Sequence, residues 1–156
     1  MTHANLVNSA YRWVLNNASC GVAFKELSCI ESEIPDVIGF GAFGHSVLIE
    51  CKVSRSDFFA DRKKPFRVNT EQGMGSQRFY CCPTNMIKID ELPKGWGLIY
   101  VNEKGKAICI HKNYKGSRVN QNTFIKNISA EYSIMYSALR RLQLRGLVNE
   151  IYKDTI

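Results

Sequence analysis

Two apolar runs, residues 36–40 (DVIGF) and 46–53 (SVLIECKV), flank Gly41-Ala42-Phe43-Gly44 and set the strongest limit on what this chain can fold into. Short β-rich runs joined across glycines that can take positive φ predict a β-hairpin. Side chains alternate faces along a strand, so Glu50 and Lys52 share one face while Ile49, Cys51 and Val53 take the other. On the neighbouring strand Asp36 can approach the same point. Charge beside a run that otherwise reads as buried is costly unless it is answered by a partner or a ligand.

Two carboxylates that close repel and raise each other's pKa unless a cation lies between them. Hard oxygen donors with room left for water suit Mg²⁺ or Mn²⁺, which bind through one or two carboxylates plus substrate phosphates. Lys52 then has two available jobs. It can neutralise charge building on a phosphate, or help orient and deprotonate the attacking water. The plainer reading is that Asp36 caps a turn after Pro35 and that Glu50 and Lys52 form an exposed strand pair.

The rest of the pattern places this hairpin among helices and further strands. Apolar residues at helical spacing predict a helix over 5–17, ended by Asn16, Asn17 and Gly21, and residues 22–29 read as a strand. Ser54 as N-cap with Asp57 three residues on starts a helix over 55–64, stopped by Pro65. Residues 67–76, with Gly73 and Gly75, read as a mobile loop, and 77–82, 97–101 and 107–111 as strands. Residues 112–128 are polar and irregular. Apolar spacing predicts a last helix over 129–145, closed by Gly146. Helix, three strands, helix, strands, helix is the order of an α/β sandwich with helices against a mixed central sheet.

At 156 residues, 45% of them hydrophobic, the chain is expected to form one domain over 1–156. No run approaches the ~20 apolar residues of a membrane span, and the N-terminus lacks a basic then apolar export pattern, so a soluble, cytoplasmic protein is expected. Six cysteines without CxxC spacing then read as reduced core thiols. The net charge of +7 is uneven: residues 1–50 hold two basic and five acidic residues, the remainder 19 and nine. Such an excess favours a polyanion such as nucleic acid, with mere solubility as the bland alternative.

The pairing of Pro35-Asp36 with Glu50-Cys51-Lys52 resembles the signature of the PD-(D/E)xK nuclease superfamily. Three further stretches, "IECKVSRSDFFADRKKP" (49–65), "QRFYCCP" (77–83) and "GLIYVNEKG" (97–105), are similar to the MmcB-like DNA-repair family within it. The resemblance covers roughly residues 22–111. It implies a restriction-endonuclease-like core in which Asp36 and Glu50 ligate Mg²⁺ or Mn²⁺, the carbonyl of Cys51 adds an oxygen, and Lys52 is the catalytic lysine. Glu26 is similar in place to an upstream acid that such folds often carry on the first helix, where residues 5–17 have none; a surface strand role is the alternative. Glu31 and Glu33 read as solvated turn residues, and His3, His45 and His111 as exposed or structural.

Arg55, Arg62, Lys63, Lys64, Arg67 and Arg78 are the candidate phosphate contacts, the alternatives being an exposed helix face compensating the dipole for the cluster at 62–64 and pairing with Asp57 or Asp61 for Arg78. Asp57 and Asp61 read as helix-face residues, with Asp61 also able to support Lys52 or Arg55. Phe58 and Phe59 read as packing residues. Serine and cysteine nucleophiles find no partnered base. The leading expectation is a metal-dependent DNA nuclease of repair or phage and mobile-element processing. The alternative is a catalytically silent nucleic-acid-binding or protein-interaction module on the same fold. A chain this small leaves room for a homodimer or a protein partner.

Overall fold

A computed structural model describes residues 1–113 and 124–154. Helix α1 (His3–Asn17) starts where the Thr2 hydroxyl accepts the Asn5 N–H at 3.2 Å. It buries Leu6, Val7, Ala10, Trp13 and Val14, one stripe at helical spacing. Six strands follow: β1 (Val22–Lys25), β2 (Val37–Phe40), β3 (Ser46–Cys51), β4 (Gln77–Pro83), β5 (Gly97–Val101) and β6 (Ala107–His111). They form one sheet in chain order. β1, β2 and β3 are antiparallel neighbours, β3, β4 and β5 run parallel, and β6 returns antiparallel to β5.

Parallel neighbours cannot be joined by a tight turn. The chain crosses from β3 to β4 through α2 (Arg55–Asp61) and α3 (Pro65–Val68). Ser54 caps α2 by accepting the Asp57 N–H at 3.2 Å, as the sequence predicts, and α3 opens on Pro65 as its first residue. α4 (Ile128–Leu144) starts one residue before the expected helix. The mixed sheet with flanking helices is the α/β architecture expected.

The two faces of the sheet have separate cores. On one, α1 covers Val37, Val47, Ile49, Cys51, Phe79, Cys81, Ile99 and Val101. On the other, Leu48, Tyr80, Cys82 and Leu98 pack with Phe58, Ile87 and Trp96, while Ile38 and Phe40 pack with Met74, Ala130 and Ile134. β3 and β4 are therefore covered on both sides, which is why their sequences are nearly continuous apolar runs. All six cysteines are free, and none is fully exposed. No helix among the described residues is long and apolar enough to cross a membrane.

Two local expectations are corrected. The strand over 22–29 ends at Lys25, because Glu26 takes a left-handed φ of 46° and breaks the ladder. Residues 67–76 are not a free loop: α3 and a 3₁₀ turn at Thr70–Gln72 occupy their first part, and Gly73 to Ser76 are buried. Arg78 donates to the carbonyls of Thr70, Gly73 and Gly75 at 2.8, 3.1 and 3.0 Å, tying the segment down. Within 112–128, residues 114–123 lie outside the described residues.

Candidate active site

The β2–β3 register pairs Val37 with Ile49, so one step further Asp36 stands opposite Glu50. By alternation Glu50 belongs to the face of Ile38 and Leu48, away from α1, whereas Asp36 precedes β2 and turns its carboxylate to His3 of α1. The hairpin thus sets the two residues opposite each other at one end of the sheet. Asp36 Oδ2 accepts the backbone N–H of Cys51 at 2.7 Å, which fixes the aspartate across the strand pair. It is thus the N–H of Cys51 that meets Asp36, while the Cys51 side chain lies in the α1 core.

His3 joins the site from the first turn of α1. Its Nε2 is 3.4 Å from Asp36 Oδ1 and 3.3 Å from Glu26 Oε1, and donor atoms of His3, Glu26 and Asp36 all lie within 4.8 Å of one another. The left-handed backbone at Glu26 turns this residue out of the β1 ladder, and its N–H is held by the Asp36 carbonyl at 3.1 Å. A non-glycine residue in that region costs about 1–2 kcal/mol. In the sequence His3 reads as exposed or structural, and it stays partly exposed while meeting both carboxylates. No signal near residue 3 could have placed it here, since the contact is made by docking α1 on the sheet.

Glu50 and Lys52 are 3% and 4% exposed, so they are not a solvated strand pair. Lys52 Nζ lies 3.3 Å from Glu50 Oε2 and 3.3 Å from Asp61 Oδ1. Burial pushes the Glu50 carboxyl up to about 7, with Arg67 and Lys52 pulling against that rise and Asp36 adding to it. Burial also raises Asp36, opposed by the Cys51 N–H and by His3 and Lys52. For Lys52 burial acts downward, but Glu50, Asp61 and Asp36 outweigh it and hold the ammonium above its usual range.

Behind these residues stands a buried ion network. Arg67 reaches Glu33 Oε1 at 2.7 Å, Asp61 Oδ2 at 3.0 Å and Glu50 Oε1 at 3.1 Å. The Tyr80 hydroxyl donates to Asp61 Oδ2 at 2.7 Å, and Lys64 lies 2.9 Å from Asp61 Oδ1. Asp61 is therefore not an exposed helix-face residue but the anchor of Lys52. Glu33, read as a solvated turn residue, is buried and also accepts the Met74 N–H at 2.9 Å. Carboxylates from a turn, a strand and a helix share one guanidinium, a grouping that sequence spacing does not reveal.

Two of the six candidate phosphate contacts are corrected. The Arg67 side chain is buried among three carboxylates, and Arg78 is buried against backbone carbonyls with its guanidinium 4.1 Å over the Phe124 ring. Both cations are consumed inside the fold. Arg55 is exposed and paired with Glu91, Arg62 donates to the Glu91 carbonyl at 3.3 Å, and Lys64 is half-exposed beside Asp61. Lys63 is exposed, and its ammonium is free of an ion pair among the described residues. Arg55, Arg62, Lys63 and Lys64 thus leave a basic edge on and just after α2. Phe58 is core, whereas Phe59 stays partly exposed under the Arg55 guanidinium at 5.3 Å.

No family model matches this chain, and no curated protein matches it. Among solved structures it is similar to the SPO1766 protein of unknown function from Silicibacter pomeroyi. The TM-score is 0.63 at 23% identity, over 93% of this chain and 92% of that one. The likeness is one of fold. A whole-length match of this kind supports the α/β architecture and leaves the chemistry to the residues of the site.

Proposed function

We propose that this chain is a divalent-metal-dependent nuclease acting on DNA phosphodiesters, with Asp36, Glu50 and Lys52 at its centre. The observation that carries the reading is the β2–β3 register, which sets Asp36 opposite Glu50, with Lys52 Nζ 3.3 Å from Glu50. The resemblance of Pro35-Asp36 and Glu50-Cys51-Lys52 to the PD-(D/E)xK signature points the same way.

The donor set fits a hard or borderline divalent ion. Asp36 keeps Oδ1 toward His3 and Glu26 while Oδ2 is occupied by the Cys51 N–H. His3, Glu26 and Asp36 would hold the ion, with Glu50 on the neighbouring strand. An imidazole beside carboxylates tilts the choice from Mg²⁺ toward Mn²⁺. Such an ion, when bound, polarises a phosphoryl oxygen and lowers the pKa of a coordinated water. Lys52 supplies a fixed positive charge for the phosphate as negative charge develops on it. Asp61 holds that ammonium in place, and the exposed cations of α2 offer contacts along the DNA backbone.

Labelled duplex, single-stranded and branched DNA, incubated with and without Mn²⁺ or Mg²⁺, tests the proposal. Cleavage that needs the ion and disappears in Glu50→Ala and Lys52→Ala supports it; a Glu50→Ala protein that cuts normally rejects it. One observation favours a second reading, the catalytically silent binding module. Both Glu50 oxygens already face cations, Lys52 at 3.3 Å and Arg67 at 3.1 Å. Salt-sensitive DNA binding that is indifferent to metal, without cleavage of any substrate, would select the module.

A further inference from the structure

β6 is the last strand of the sheet, and a groove runs between it and the C-terminal half of α1. Two cavities of about 590 and 340 Å³ adjoin there, with Trp13, Asn17, Lys106 and Ala107 lining both. At the near end Ser9 Oγ donates to the Gly105 carbonyl at 2.9 Å and ties the helix to the β5–β6 turn. The buried Trp13 is the floor, its ring edge-on to Phe79 with centroids 5.3 Å apart. Arg12 stands exposed on the helix wall, and Lys106 and Lys112 stand exposed at the two ends of β6. Neither the α1 nor the β6 sequence contains an aspartate or glutamate, and among the described residues no carboxylate lines either cavity. A cleft lined by one sign of charge focuses the field on whatever enters it.

We propose that this groove holds the sugar–phosphate backbone of a DNA strand on its way to the candidate active site. Charge selects a polyanion, since cations stand on both walls with no carboxylate opposing them. Length selects a chain over a compact anion. Lys106 and Lys112 flank β6 and are about 20 Å apart along the extended strand, so they meet phosphates several nucleotides apart. Asn16 and Asn17 add amides, which bond phosphate and sugar oxygens. Position selects the same substrate as the site. The helix that carries Arg12 carries His3 about 14 Å nearer its start, so a strand leaving the groove past Ser9 runs along α1 to the candidate metal ligands. The inference deepens the nuclease reading and rests on it for the choice of DNA. A plainer role for Lys106 and Lys112, keeping the edge of β6 from pairing with another strand, would ask nothing of Arg12.

Fluorescence anisotropy of the full chain with short labelled single-stranded and duplex DNA, in EDTA so that no cut intervenes, tests it over a salt series. The double variant Arg12→Ala with Lys106→Ala is expected to bind at least about tenfold more weakly. Its salt slope should fall by about 0.9 per lost contact on duplex, or about 0.7 on a single strand. A control, Arg140→Ala with Arg145→Ala, removes the same charge from exposed positions of α4 and at its end, and should bind like the wild type. Loss on the single strand alone assigns the groove to a free strand, loss on duplex to a strand within the duplex, and either supports the proposal. Unchanged affinity in the groove variant overturns it, as does an equal loss in the control, which would make the attraction diffuse. A labelled oligoglutamate peptide that binds the groove while DNA does not also overturns it. Binding that needs Arg12 and Lys106 in a protein that cuts no substrate rejects the nuclease reading and leaves the groove standing; full cleavage with undiminished binding in the groove variant rejects the groove alone.

Discussion

Arg67 Nη2 stands 3.1 Å from Glu50 Oε1, at ion-pair distance but without the alignment of a hydrogen bond. The same guanidinium spends its other nitrogens on Glu33 and Asp61, and its face lies 5.1 Å from the Trp96 ring centre. One cation thus holds the turn before β2, the end of β3 and the end of α2 together. Removing it leaves buried carboxylates without compensation.

Arg67→Met is therefore expected to cost about 3–5 kcal/mol of unfolding free energy, the usual penalty for breaking a buried pair from one side. Arg67→Lys keeps the charge but cannot reach three carboxylates in one plane, and should fall between. Urea denaturation measures both. A loss below about 1 kcal/mol for Arg67→Met would show the network to be dispensable.

Asp61 gives the network a pH dependence. Burial alone would raise its carboxyl, but Arg67, Lys52, Lys64 and Tyr80 outweigh burial and hold it well below the usual carboxylate range. A depressed folded pKa contributes stability that is fully present above the unfolded value of about 3.9 and is lost as pH falls toward the folded one. Thermal midpoints should drop on acidification below about pH 4. Asp61→Asn should be less stable at neutral pH and show a shallower acid slope; an identical slope in the two proteins would remove Asp61 from the account.

Metal binding separates the ligands from the lysine. Calorimetric titration with Mn²⁺ should show affinity lost in Asp36→Ala and reduced at least about tenfold in His3→Ala. Lys52→Met should bind Mn²⁺ while cleaving DNA about 10²–10³-fold more slowly. Undiminished Mn²⁺ affinity in His3→Ala would return that histidine to a surface role.

Gly97 tests the fold away from the site. A Cβ there would sit 2.4 Å from two atoms of the Phe79 ring and 2.8 Å from the His111 carbonyl oxygen. Gly97→Ala should cost about 1–3 kcal/mol, with β4 and β6 forced apart. Urea melts of the variant check it, and an unchanged midpoint contradicts the close packing of β5 on its neighbours.

The sequence alone determined most of the elements and the hairpin that sets Asp36 opposite Glu50. Apolar periodicity marked α1, the β2–β3 hairpin, β4 to β6 and α4, because spacing in the chain is spacing on a helix or strand face. Hairpin pairing is equally local, so Asp36, Glu50 and Lys52 could be brought together from a span of seventeen residues. Only the tertiary structure decided what surrounds them. His3 reaches Asp36 because α1 docks on the sheet, and Arg67 and Glu33 turn inward because α3 and the turn before β2 close over one end of β3. In sequence Arg67 looks like any other member of the basic run 62–67, and Arg78 like a cation opening a strand. Burial reassigned them, since a buried cation must find its carboxylates or carbonyls within a few ångströms, wherever in the chain these lie.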